Sequence, residues 1–203
     1  MYGGNKANVA PGDIKYKDIS GPDGVPDGKI DSHDRTIIGN PTPRYEFGLT
    51  LGLQWKGIDF SAFFQGVGKK DVYYSGAGAR ALCGNYTIYK YQFDYWTPEN
   101  PDAKFPRLLE DPNATNPNNM ISSFWVKSGA YCRLKNIVLG YTLPSSITKT
   151  AHISKLRVYA SAQNLFTIKD NFYEGFDPEN SVSSGASLYP LNKTFVFGLN
   201  VEF

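Results

Sequence analysis

Asp23, Asp27, Lys29, Asp31 and Asp34 carry the chemistry and spacing of a calcium loop. With Asp23 as position 1 of an EF-hand-like loop, Asp27 falls at 5, Gly28 at 6, Lys29 at 7, Asp31 at 9 and Asp34 at 12. Calcium takes several carboxylate oxygens converging around a sharp glycine turn, with a backbone carbonyl at position 7, here that of Lys29. Ile30 supplies the apolar residue that follows. Two positions depart from the pattern: Val25 at 3, and Asp34 in place of the longer Glu at 12. No flanking helices are apparent. The competing reading is a polar turn in which Asp and Gly satisfy nearby backbone groups. A bound Ca2+ would brace this loop and catalyse nothing.

Two other sets of side chains have chemical potential. Tyr86, Tyr89, Tyr91, Tyr95 and Trp96 crowd one irregular stretch, and their flat rings suit the C–H faces of sugars. The same rings would serve equally to pack a long loop on itself or on a partner. Arg133, Lys135, Lys155 and Arg157 fall in strand-like segments, where they would solvate a polar face or line a substrate path. His33 and His152 are the only histidines, and neither has a Ser, Cys or second His at catalytic or zinc spacing. There is no glycine-rich phosphate loop. An enzyme is therefore not expected. Net charge is +2 with no basic tract, which argues against nucleic acid as a partner.

These residues need a scaffold, and the sequence writes it in alternation. Tyr45, Phe47, Leu49, Leu51, Leu53 and Trp55 share one parity, against Arg44, Glu46, Gly48, Thr50, Gly52 and Gln54 on the other. Successive strand residues face opposite ways, so this is a strand with one oily side. Lys56-Gly57 makes a tight turn into a second strand, with Ile58, Phe60, Ala62 and Phe64 opposed to Asp59, Ser61, Phe63 and Gln65. A third strand spans about 130–143. There Arg133 and Lys135 share parity with Ile137, Leu139 and Tyr141, and a β-bulge near Asn136 would restore the phase. A fourth sets Leu156, Val158, Ala160 and Ala162 against Lys155, Arg157, Tyr159, Ser161 and Gln163. In the last, Phe195, Phe197, Leu199, Val201 and Phe203 form the oily face.

The segment 1–43 reads as an Asp/Gly/Pro-rich loop, and 44–203 as strands with long loops at 67–125 and 167–190. Within the first loop, 88–96 fits either a short helix or a strand. Short and long connections alternate, so one end of the meander carries tight turns and the other large loops. Barrels of the outer membrane have this asymmetry, and their alternating strands read as soluble on average. Mean hydropathy is −0.38 and no run of about 18 apolar residues exists, which excludes an α-helical span and not a barrel. Residues 1–12 hold no apolar leader segment, so an exported protein would be a longer one of which this is a part. Cys83 and Cys132 lie far apart, and spacing alone does not pair them.

Several segments in order resemble the C-terminal barrel region of the SusC/RagA-type TonB-dependent outer-membrane transporters. They are Gly12-Asp13-Ile14-Lys15-Tyr16-Lys17-Asp18, Asp27-Gly28-Lys29-Ile30-Asp31 with Asp34-Arg35-Thr36-Ile37-Ile38-Gly39, and Phe60-Ser61-Ala62-Phe63-Phe64-Gln65-Gly66. Further on come Arg133-Leu134-Lys135-Asn136-Ile137-Val138-Leu139-Gly140-Tyr141-Thr142-Leu143-Pro144, then Leu156-Arg157-Val158-Tyr159 and Gln163-Asn164-Leu165-Phe166-Thr167. Cys132 stands where the third strand suggests an aliphatic residue.

The resemblance implies an all-β, antiparallel meander: an open sector of a transmembrane β-barrel with long extracellular loops. It implies import of a glycan or peptide, a SusD-like surface lipoprotein as partner, and TonB reached through the N-terminal part of such a receptor. It also implies that the outer-membrane assembly machinery reads the terminal face of Phe195, Phe197, Leu199, Val201 and Phe203. Arg133, Lys135, Lys155 and Arg157 would then face the lumen. The rival expectation is a soluble β-sandwich that binds carbohydrate and carries a calcium loop. Long, aromatic oily faces favour the barrel, because a sandwich buries shorter, aliphatic ones.

Overall fold

The computed structural model describes residues 9–76, 79–82, 87–110, 117–172, 176–179 and 191–203. Its strands are β1 (Tyr45–Trp55), β2 (Ile58–Gly68), β3 (Asp71–Tyr73), β4 (Val126–Ser128), β5 (Tyr131–Thr142), β6 (Lys155–Gln163), β7 (Thr167–Lys169) and β8 (Thr194–Glu202). The only α-helix among the described residues is the single turn Ser145–Thr148. None of their helices is long and apolar enough to cross a membrane, a test that leaves membrane strands untouched.

The main sheet is antiparallel in the order β1-β2-β5-β6-β8, and β7 also pairs with β5. The β1–β2 turn has Lys56 at φ 44° and Gly57 at φ 88°. Positive φ at both central positions gives a two-residue turn whose twist matches the strands it joins. Register then propagates the oily face. Leu51 sits opposite Ala62, Ala62 opposite Ile137, Ile137 opposite Ala162, and Ala162 opposite Phe195. All five strands thus present their apolar parity on one side.

The third strand keeps phase through the bulge that its sequence calls for. Phe63 pairs with Asn136 and Phe64 with Leu134, so Lys135 is the extra residue on β5. Leu134 and Cys132 thereby join the oily face, and Arg133 the polar one. Directly opposite, β6 bends at Asn164, whose φ is 52°. The N–H groups of Asn164 and Leu165 bond the carbonyls of Lys135 and Leu134, at 3.1 and 3.2 Å. β7 then resumes along Tyr131–Arg133, so β6 and β7 are one strand interrupted by a kink.

Loop boundaries differ from expectation at two places. β2 runs to Gly68 because Gly66 and Gly68 lie opposite Phe47 and Tyr45, which extends the ladder into glycine-rich sequence. The stretch 88–96 is neither helix nor strand in full: Lys90–Phe93 make one 3-10 turn, and Gln92 accepts the Tyr89 N–H at 2.8 Å.

Both faces of β1 are exposed along its whole length. The oily side of the sheet meets no second sheet among the described residues, which removes the sandwich. The other sheet is the small β3–β4 pair within the long loop. The connected buried cluster lies in the loops: Val72, Tyr74, Ala79, Phe105, Trp125 and Phe176. Burying a side chain such as Phe105 contributes about 1.5–3 kcal/mol. The long loops at one end of the sheet therefore form a packed cap, while 56–57 and 143–154 are the short links at the other end.

Candidate functional site: the polar face and its loop cap

The polar face carries two charged centres. Near the short-link end, the Arg157 guanidinium donates to Asp59 through Nε to Oδ1 at 2.8 Å and through Nη2 to Oδ2 at 2.5 Å. Lys155 lies opposite Glu202 on the same face. Near the loop end, Arg133 is 3% exposed and donates to Thr167 Oγ1 and Asp177 Oδ2, each at 2.7 Å. Its Nη1 also lies 2.9 Å from Glu179 Oε2, and Lys135 Nζ lies 2.7 Å from Glu179 Oε1. The bulge puts Arg133 and Lys135 side by side, and together they hold the 176–179 segment to β5. Arg133 and Lys135 form one group; Lys155 and Arg157 belong to the other end. The sequence reading missed Asp177 and Glu179, which lie in a long loop with no periodicity to place them.

The aromatic candidates divide between packing and exposure. Tyr89 and Tyr91 stack at 5.8 Å with an interplanar angle of 10°. Tyr91 also meets Phe105 and Phe176, and burial, reinforced by Tyr89, raises its phenol above the usual range. Tyr95 packs against the buried cluster. These two rings therefore support the cap. Tyr89 keeps an open edge, and Trp96, half-buried, stands on the wall of a groove. Tyr86 lies outside the described residues, as does Cys83; Cys132 faces the oily side opposite Gly66.

The segment before β1 is bound into the cap by side chains far away in sequence. Arg107 donates to Asp13 through Nε at 2.6 Å and Nη2 at 2.9 Å. Asn118 donates to the same carboxylate at 2.8 Å and accepts the Ile14 N–H at 2.7 Å. Burial alone would raise the Asp13 pKa, but Arg107, the Ala10 N–H and Asn118 outweigh it and hold it below the usual value.

The Asp-rich loop does not assemble the ligand set that its spacing suggests. Asp34 accepts the N–H groups of Ile19, Ser20 and Asp31. Asp31 accepts from His33, and Asp27 from the Lys29 N–H. Asp23 makes none of these contacts. No three acidic, His or Cys side chains among the described residues converge on a metal-sized site. The arrangement is a capped turn, and hydrogen bonds from backbone N–H groups lower the pKa of both Asp31 and Asp34.

No family model matches the chain. Relatives and solved structures do. A TonB-dependent receptor, P3, of Formosa agariphila is 33% identical over 210 residues, covering 95% of this chain and 19% of its own length. TonB-dependent receptor SusC of Bacteroides thetaiotaomicron is 30% identical over 178 residues, 87% of this chain and 17% of its own length. The solved RagAB peptide importer in its closed-closed state superposes with a TM-score of 0.65 at 27% identity, over 90% of this chain and 20% of that one. The chain belongs to the SusC/RagA-type TonB-dependent receptors.

The chain spans about a fifth of the length of the curated relatives it matches. Its open sheet is accordingly a sector of a receptor barrel, with β1 and β8 as edges that have one partner each. The relatives it matches are named as receptors and an importer. Along β8 of this receptor sector, Phe195, Phe197, Leu199 and Val201 are all exposed on the oily side, and Phe203 follows at 87% exposure.

Proposed function

We propose that this chain is the C-terminal sector of the wall and surface cap of an outer-membrane importer for a large nutrient, an oligosaccharide or a peptide. One observation carries the reading: the apolar parity stays on one side through five paired strands, even across the bulge at Lys135. A sheet that meets hydrocarbon on one side and a polar lumen on the other needs that continuity. Arg133, Lys135, Lys155 and Arg157 would then face the lumen. The cap of loops is the surface offered to a SusD-like lipoprotein. Coupling to TonB would run through the part of the receptor that precedes this sector. The exposed oily residues of β8 are what an assembly machinery would engage.

The test uses the full-length receptor in its native cell. The expected result is an outer-membrane protein with heat-modifiable mobility, whose deletion slows growth on at least one oligomeric nutrient and not on the monomer. A receptor recovered in the soluble fraction, or a deletion without effect on any oligomer, would overturn the reading.

A further inference from the structure

The cap holds an open groove of about 560 Å3 between the 12–17 strip, the 103–106 segment and residues 122–124. That volume falls in the range of small-ligand sites. We propose that this groove binds an oligosaccharide bearing carboxylate or sulfate groups; the proposal rests on reading the chain as the surface cap of a nutrient importer.

Charge is the first argument. Lys15, Lys17 and Lys104 line the groove, and its one carboxylate, Asp13, is 2% exposed and held by Arg107 and Asn118. Lys15 and Lys17 are both exposed. Among the described residues neither forms an ion pair. Lys104 Nζ donates to the Asn171 carbonyl at 3.0 Å and lies over the Phe172 ring, so the charge that the groove leaves unpaired is that of Lys15 and Lys17.

The second argument is the shape of the wall. Trp96 lies across Gly12, where a Cβ would come within 2.3 Å of the indole, so the ring is held in place as a flat surface. Such a face suits the C–H side of a sugar ring.

The Trp96 face is what favours a saccharide over an acidic peptide, since a sugar ring stacks on it and an extended peptide is captured instead by main-chain groups along an edge. At the near end of the strip two of those groups are already taken, the Ile14 N–H by Asn118 and the Gly12 carbonyl by the Arg107 N–H, at 2.7 and 2.9 Å.

The experiment is calorimetric titration of the detergent-solubilised full-length receptor with four probes: an oligogalacturonate, a sulfated oligosaccharide, a neutral gluco-oligosaccharide of equal length, and an oligoglutamate. At least one anionic saccharide binds, and more weakly as salt rises. Lys15→Gln and Lys17→Gln each weaken it about tenfold. Trp96→Ala weakens it further, and Trp96→Phe, which keeps a ring, recovers part of the loss. The better of the two anionic saccharides identifies the group recognised. Equal affinity for the neutral saccharide, tighter binding of the oligoglutamate, no binding of either anionic saccharide, or wild-type affinity in both lysine variants overturns the proposal. Titration reads binding without transport. Intact binding in a receptor that imports nothing removes the importer reading alone; import without anionic binding removes this one alone.

Discussion

Arg157 of β6 grips Asp59 of β2 across the full width of β5, and the strand between them has Gly140 at the crossing. A Cβ there would stand 2.4 Å from Arg157 Nη2 and 2.5 Å from Asp59 Oδ1. The same guanidinium sits 5.0 Å from the Tyr159 ring, and that ring lies over Gly198 of β8. One rung on the polar face thus ties four strands together.

Gly140→Ala should break this rung without preventing the sheet from forming, because the atoms it meets are the far ends of flexible side chains. The ion pair is partly exposed, with side chains 21% and 29% accessible. Its loss should therefore cost little. Urea unfolding of the purified full-length receptor reads it as a small drop in midpoint. A drop of several kcal/mol would mean that Gly140 is needed for the strand itself.

At the loop end, the two cations should differ in rank. Arg133→Ala leaves Asp177 and Glu179 without their buried partner, a change that costs about 3–5 kcal/mol. Lys135→Ala removes a side chain that is 25% exposed, and should cost well below that. Protease added to intact cells should cleave within 176–179 readily in the first variant and little in the second. Equal cleavage would show that Arg133 does not hold the 176–179 segment.

Trp125 is the best place to melt the cap alone. It is 2% exposed, touches Phe124 edge-on, and donates from Nε1 to the Asn118 carbonyl at 2.8 Å. Trp125→Ala should destabilise the cap by about 3–5 kcal/mol, while heat-modifiable mobility, which reports the barrel, persists. Loss of both together would refute the separation of cap and wall.

Acid should loosen the cap through Asp13. Its folded pKa lies below the usual 3.8, so its stabilising contribution is complete above that value and is lost as pH falls through the lower, folded one. Tryptophan fluorescence followed from about pH 5 to about pH 2 should show the loss. Asp13→Asn should lower stability near neutrality and shrink the acid-dependent part. Asp31 and Asp34, also lowered, keep the remainder. An unchanged acid profile in the variant would exclude Asp13 as a contributor.

The wall was legible in the sequence and the cap was not. Period-two alternation marks β1, β2, β6 and β8, and the phase error at Arg133 and Lys135 locates the bulge within one residue. Each of these signals is local, since strand geometry imposes it on neighbours in the chain. Phe105 and Trp125, twenty residues apart in one long loop, meet Phe176 of the other, with no period to link them. β3 and β4 are three residues each, too short to show alternation. The Asp-rich loop reads two ways for a different reason. Calcium ligands and backbone-capping residues are the same residue types at similar spacing, and only the direction of each carboxylate separates the two.

The connected buried cluster sits in the loops, whereas β1 is bare on both faces. The two parts of this chain therefore answer to different media. Water drives the cap together, so chaotropes and cavity-forming substitutions weaken it. On the importer reading proposed above, hydrocarbon would hold the wall, so acyl-chain length and the choice of detergent would govern it. A change of lipid should retune one part and pass the other by, which lets the outward surface be rebuilt without renegotiating the fit to the membrane.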